Sequence, residues 1–174
     1  MNSLPQTIEQ TITDIAAEAG KRLAAHGWML VTAESCTGGW AGQAITAISG
    51  SSAWYERGFI TYSNASKHEM LGVQQSTLDQ FGAVSPQTAT EMAAGALGRS
   101  HAQISVAITG IAGPDGGTAA KPVGMVCFAW AHKNGWVQQE THYFSGNRET
   151  IRHQAVITAL QGILKLLDET PPIA

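Results

Sequence analysis

The stretch that decides the fold is Trp28–Gly39, WMLVTAESCTGG. Its apolar start predicts a strand over Trp28–Thr32, and its two final glycines precede the helical pattern WAGQAITAIS. Ser35 lies in the turn between them, where a hydroxyl faces the positive end of the following helix. The position suits a nucleophile or an anion-binding group, but the turn alone favours a helix cap.

Outward from this stretch, helical and strand patterns alternate. Apolar residues spaced by three and four predict a helix that ends at Gly27, and Pro86 fits the first turn of a later helix. Further strands are predicted at Gly58–Tyr62, Ile104–Thr109, Gly124–Ala131 and Trp136–Phe144. Asn134-Gly135 is a strong hairpin signal, and a long helix follows. We predict a single α/β domain over residues 1–174, layered α/β/α, with a mixed sheet and an antiparallel hairpin near its C-terminus.

Composition narrows the functional class. The 174 residues are 44% hydrophobic and 13% charged, which suits one compact core. The net charge of −3, without a basic run, makes a nucleic-acid partner unexpected. We expect no membrane association because no apolar run is long enough to span a bilayer, and the N-terminus lacks a signal-peptide pattern. Cys36 and Cys127 lack CxxC spacing, so we expect free thiols and a cytoplasmic location.

Lys67, in the segment GFITYSNASK, is the second candidate for chemistry. With Ser63 or Asn64 as the N-cap, it falls in the first helical turn, where the helix dipole disfavours its charge by about 0.3–1 kcal/mol. A lysine that acts as a general base near neutral pH needs its pKa lowered by roughly 3 units, mostly through burial. Lys67 could therefore activate Ser35 as a Ser–Lys pair, or it could be an exposed, solvated side chain.

The glycine-rich loop Thr109–Gly117, TGIAGPDGG, and Arg148 are further candidates. Backbone N–H groups of such a loop can converge on an anion or an oxyanion, but the loop can also be only a turn. Arg148, at the start of the last helix, can meet a phosphate or stay solvated. Cys36 is an alternative nucleophile, because a helix N-terminus lowers a thiol pKa. The six histidines lack metal-ligand spacing, so we predict no metal and no cofactor.

These segments together resemble the CinA C-terminal domain family. The matching pieces are TAESCTGG, ISGSSAWYERGFITYSN with the lysine after it, GAVS, TGIAGPDGG with KPVG, and the late GNR, over roughly residues 30–148. The resemblance implies hydrolysis of the carboxamide of nicotinamide mononucleotide (NMN), which gives nicotinic acid mononucleotide and ammonia in pyridine nucleotide salvage. A non-catalytic nucleotide-binding or regulatory module is the alternative from a different class.

The resemblance also implies roles for single residues. Ser35 would be the nucleophile, Lys67 its base, and Tyr62 a hydroxyl that orients the pair or shuttles a proton. The implied substrate-binding residues are Thr37, Gly38, Thr109, Gly110, Gly113, Asp115, Gly116 and Arg148. The expected partner is a small pyridine mononucleotide, and we expect a homo-oligomer, with a dimer favoured.

Overall fold

The computed structural model describes residues 6–170, and side chains from residue 11 onward, so the outermost residues of the predicted 1–174 domain lie outside it. Five strands form one sheet in the order β2-β1-β3-β4-β5. They are β1 Leu30–Glu34, β2 Tyr55–Ile60, β3 Ile104–Gly110, β4 Met125–His132 and β5 Val137–Tyr143. β2, β1 and β3 are parallel, whereas β4 and β5 are antiparallel to their neighbours. The predicted mixed sheet and C-terminal hairpin are confirmed.

Helices cover both faces of this sheet. Within the described residues they are α1 Gln6–His26, α2 Trp40–Thr46, α3 Asn64–Leu71, α4 Gln75–Phe81, α5 Pro86–Gly98 and α6 Arg148–Glu169, with a 3-10 turn at Ser51–Ala53. α1, α2 and α6 pack on one face, and α3, α4 and α5 pack on the other. This is the predicted α/β/α order of layers. No helix in the described part of the chain is long and apolar enough to cross a membrane.

The central strands are buried on both faces, as the near-continuous apolar pattern of β3 predicts. Because side chains alternate along a strand, Val106 and Ile108 join the core under α1 and α6, whereas Ala107 joins the core under α5. The same alternation on β1 sends Val31 and Ala33 toward α5. The next residue on that face is Ser35.

Two strands are shifted by two or more residues from their predicted positions, and one helix was not predicted. β1 is Leu30–Glu34 rather than Trp28–Thr32, because Glu34 still pairs with β2 on one side and β3 on the other. β2 is Tyr55–Ile60 rather than Gly58–Tyr62. α4 was not predicted, because its N-cap position, Gln74, provides no side-chain cap to signal a start. The shift of β1 places Ser35 immediately after the strand end.

Candidate active site

The carboxyl ends of three parallel strands meet at one place. Ser35 follows β1, Thr61 and Tyr62 follow β2, and Thr109 and Gly110 end β3. In open α/β sheets, ligands bind outside such carboxyl ends, where the chain leaves neighbouring strands toward opposite faces. Here α2 follows β1 on one face and α3 follows β2 on the other, which opens a crevice between them.

Backbone pairing continues one residue beyond β1 and β2 and aligns their ends. The Ser35 N–H donates to Ile108 O at 2.9 Å, and the Thr61 N–H donates to Glu34 O at 2.8 Å. Ser35 and Thr61 therefore lie side by side. The Ser35 N–H is also committed to the sheet.

Lys67 reaches this point from α3, where Ser63 is the N-cap and forms a capping box. Its side chain is buried, with 1% exposed. Nζ lies 2.9 Å from Ser35 Oγ, 2.7 Å from Thr61 O and 3.4 Å from Tyr62 O. Burial lowers the pKa of the Lys67 amine from 10.5 to about 8. The structure thus brings the predicted Ser–Lys pair together, and the solvated alternative for Lys67 is wrong.

The oxygens around Nζ determine how a neutral Lys67 is oriented. A neutral amine has two N–H donors and one lone pair, and carbonyl oxygens only accept. The two N–H groups therefore point to the carbonyls of Thr61 and Tyr62. The lone pair then faces Ser35 Oγ, which is the orientation that accepts a proton from the hydroxyl.

Ser35 does not cap α2, so this alternative is wrong. The N-cap is Gly39, in the left-handed region with φ 100°. The first-turn N–H groups of Ala41 and Gly42 donate to the buried Glu34 carboxylate at 2.9 and 3.0 Å. Because the carboxylate stands at the positive end of the helix, it supplies the capping that the sequence assigned to Ser35. The Ser35 hydroxyl is therefore free of a capping role and contacts Lys67 instead.

Ser35 and Lys67 line a cavity of about 220 Å³. Its lining consists of Ser35, Cys36, Tyr62, Lys67, Ala83, Val84, Thr109, Gly110, Ala112 and Arg148. Among the predicted substrate-binding residues, Thr109, Gly110 and Arg148 lie in this lining. The Thr109 hydroxyl donates to Ala83 O at 2.8 Å, so it also ties β3 to the segment before α5.

The other predicted substrate-binding residues lie outside this lining: Thr37, Gly38, Gly113, Asp115 and Gly116. The Thr37 hydroxyl is turned away and donates to Glu34 Oε1 at 2.6 Å. Gly113 accepts a hydrogen bond from Arg148 at 2.7 Å through its carbonyl. Asp115 and Gly116 are exposed at the outer part of the loop. Substrate contacts by these residues stay predictions.

Tyr62 stands at the mouth of the cavity, with 65% of its surface exposed. Its hydroxyl lies 3.3 Å from Arg148 Nη2, whereas the part of Tyr62 that reaches Lys67 is the backbone carbonyl. A role of the phenol in orienting the Ser–Lys pair or moving its proton stays a prediction. The observed contact places the hydroxyl with Arg148.

Cys36 lines the cavity but is poorly suited to nucleophilic attack. Burial raises the pKa of its thiol from 9.0 to about 12, and the nearby Arg152 charge opposes this only in part. The thiol therefore stays protonated at neutral pH, and a thiolate is the form of cysteine that attacks. The pKa of this thiol is thus raised, opposite to the lowering that the sequence position suggested.

Sequence reasoning missed two charged residues beside the nucleophile. Glu34 had a usable signal, because an acid just before a helix start complements the helix dipole. Arg152 lies four residues after Arg148 and hence on the same side of α6. It donates to Cys36 O at 2.9 Å and to Thr37 O at 3.1 Å. Ala83 and Val84 in the lining carry no chemical signal at all.

The sequence that forms this fold matches the model of a known family. The profile described as the CinA C-terminal domain matches residues 12–167, and the chain belongs to that family. Nicotinamide-nucleotide amidohydrolase PncC of Enterobacter agglomerans is 53% identical over 157 residues, covering 90% of this chain and 96% of that protein. The protein of the same name from Escherichia coli (strain K12) is 50% identical over 153 residues, covering 88% and 93%.

Solved structures agree with this assignment. The competence/damage inducible protein CihA from Agrobacterium tumefaciens superposes with a TM-score of 0.84 at 48% identity, covering 95% of this chain and 99% of that one. The predicted family and fold class are therefore confirmed.

Proposed function

We propose that this protein is a nicotinamide-nucleotide amidohydrolase that converts NMN to nicotinic acid mononucleotide and ammonia. The observation that carries the proposal is the 2.9 Å contact between Ser35 Oγ and the buried Lys67 Nζ, whose pKa is about 8. Two relatives named nicotinamide-nucleotide amidohydrolase PncC, at 53% and 50% identity, support the substrate.

In the proposed first step, Ser35 Oγ attacks the carboxamide carbon while neutral Lys67 takes the hydroxyl proton. With a pKa of about 8, roughly a tenth of the lysine is neutral at pH 7, which is enough for a general base. The attack forms a C–O bond and places negative charge on the former carbonyl oxygen.

Several backbone donors near Ser35 are already used. The Ser35 N–H pairs with Ile108 O, and the first-turn N–H groups of α2 bind Glu34. Among the described residues, the N–H groups of Cys36 and Thr37 donate to no backbone carbonyl. We assign these two as the candidate oxyanion donors, each worth about 2.7–4 kcal/mol if used in the transition state.

In the second step, the Lys67 ammonium gives its proton to the amide nitrogen as the C–N bond breaks, and ammonia leaves. Water then attacks the acyl-enzyme ester, with Lys67 again accepting a proton, and Ser35 is regenerated as the carboxylic acid product forms. No step in this sequence requires a metal or a cofactor.

The cavity dimensions bear on where the nucleotide lies. Its volume of about 220 Å³ is below the roughly 300–1,000 Å³ of most ligand sites, so it suits the ring and its amide rather than a whole nucleotide. The ribose and phosphate would then extend across the mouth, where Arg148 stands. A guanidinium binds phosphate strongly through charge-assisted hydrogen bonds.

Ammonia release from NMN by purified variants tests this proposal. We expect Ser35→Ala and Lys67→Met to lose at least about 10³-fold in kcat while remaining folded by circular dichroism. Cys36→Ser, which alters the adjacent residue, should stay within a few-fold of the wild type. Activity that survives Ser35→Ala but is lost in Cys36→Ser would identify a cysteine enzyme. A wild-type protein that binds NMN without releasing ammonia would be a non-catalytic binding module.

A homodimer, a cytoplasmic location and a place in pyridine nucleotide salvage belong to the same proposal. Light scattering during size-exclusion chromatography tests the first of these, with a mass of twice 18.3 kDa expected.

A further inference from the structure

Arg152, on α6, contacts the turn that follows Ser35. It approaches from the face of the sheet opposite to α3, which carries Lys67. Its Nε donates to Cys36 O at 2.9 Å, and its Nη2 donates to Thr37 O at 3.1 Å. The guanidinium also lies over the Trp40 ring, 5.5 Å from the ring centroid. One rigid, planar group thus holds two successive carbonyls of the turn that follows Ser35.

Holding a carbonyl also orients the next N–H. In a planar trans peptide the C=O and N–H bonds point in opposite directions. Because Cys36 O points to Arg152 on α6, the Thr37 N–H points away from α6. The second peptide behaves consistently, since Thr37 O faces Arg152 and the Gly38 N–H donates back to Ser35 O at 3.1 Å.

Unlike the N–H groups of Ser35 and Gly38, and like that of Cys36, the Thr37 N–H donates to no backbone carbonyl among the described residues. Thr37 itself is fully buried, and a buried backbone donor without a partner is rare and often functional. A charged donor on the carbonyl of the same peptide polarises that peptide and strengthens its N–H as a donor.

We propose that Arg152 is a positioning residue, which holds the Cys36–Thr37 peptide so that its N–H is presented to the oxyanion formed at Ser35. The inference rests on the proposed Ser35 chemistry. Arg152 acts through the backbone and lies outside the cavity lining, unlike Arg148 at the mouth.

Other contacts hold the course of the turn, which makes the role separable from folding. Glu34 accepts from the Thr37 hydroxyl and from two N–H groups of α2, and the Ser35 N–H stays paired with Ile108 O. Loss of Arg152 should therefore loosen the orientation of one peptide and leave the chain path intact. The expected signature is a lower kcat with little change in KM.

Arg152→Gln and Arg152→Lys test the proposal, with Arg22→Gln as the matched control. Arg22 also donates from α1 to a carbonyl of α6, that of Leu164, but at the end of α6 remote from the site. The measurements are kcat and KM for NMN, the melting temperature, and the rate at which a fluorophosphonate labels Ser35, followed by intact mass.

We expect Arg152→Gln to lower kcat about 10²-fold and to slow labelling, with KM changed less than about threefold, as for loss of one oxyanion donor. Arg152→Lys keeps the positive charge but lacks the planar set of N–H donors of the guanidinium, so kcat should fall at least tenfold. Arg22→Gln should change neither kcat nor labelling.

Unchanged kcat and labelling in a folded Arg152→Gln would overturn the proposal, as would a raised KM with kcat intact, which marks a substrate contact. If Arg152→Gln does not fold, Arg152→Lys decides, and wild-type kcat in that variant counts against the proposal. If the wild type is labelled at Ser35 but releases no ammonia, only the proposal of NMN hydrolysis is overturned. Slower labelling of Arg152→Gln would then still support the positioning role of Arg152. A wild type that neither labels nor turns over would remove both.

Discussion

All three oxygens that Lys67 Nζ contacts within the described residues are neutral: Ser35 Oγ, Thr61 O and Tyr62 O. The nearby Glu34 carboxylate is directed to α2, on the opposite face of β1. This separation matters because a carboxylate beside Lys67 would pair with it and raise its pKa. The neutral oxygens do not offset the cost of burying the ammonium. The pKa of Lys67 therefore stays low enough for the amine to act as a general base near neutral pH.

The pH dependence of turnover should reveal this base. Because Lys67 must be neutral to accept the Ser35 proton, kcat/KM is expected to rise with pH through a midpoint near 8. Steady-state rates between about pH 6.5 and 9.5 check this, a range above the phosphate pKa of about 6. A flat or falling profile would contradict the assignment of Lys67 as the base.

The same pKa affects stability. The Lys67 pKa is about 8 when folded and about 10.4 when unfolded, so between these values the unfolded state binds a proton that the folded state does not. The free energy of unfolding should therefore rise with pH in the wild type relative to Lys67→Met, by about 2 kcal/mol between pH 7 and pH 9.5. Urea unfolding of both proteins at the two pH values measures this. An unchanged difference would mean that Lys67 is not perturbed.

At the scale of elements, the approach of α5 to α3 positions Lys67. Gly95 on α5 meets the end of α3 so closely that an added Cβ would lie 1.9 Å from Leu71 O. Leu71 is one turn beyond Lys67 on α3. Only a residue without Cβ lets the two helices pack at this distance.

Gly95→Ala should therefore push α3 away from α5 and lower both stability and kcat. Overpacking of this kind typically costs about 1–3 kcal/mol in the free energy of unfolding, which urea titration would measure. Gly98→Ala on the same helix is the control, because no described atom lies within 4 Å of its added Cβ. We expect that change to alter stability by less than about 1 kcal/mol. Equal effects of the two substitutions would argue against the packing role.

At the scale of the whole molecule, local sequence patterns predicted individual helices, strands and turns, but they did not predict which of these lie next to one another. The apolar run of β3, Pro86 at the start of α5 and the Asn134-Gly135 turn each carry their own signal, and each was predicted correctly. The position of β1 between β2 and β3 carries no such signal, because periodicity describes one element and not its partner. Arg152 was missed for the same reason, since its acceptors lie more than 100 residues away.

The sheet register also separates the two ends of the molecule. Ile104 at the start of β3 pairs with His132, so the β4–β5 turn lies at the end of the sheet opposite to Ser35. Lys133 in that turn is exposed, whereas Cys36 and Cys127 are both buried. A Lys133→Cys variant would therefore offer one readily modified thiol, through which the protein could be immobilised or given a fluorophore with its crevice facing open solution.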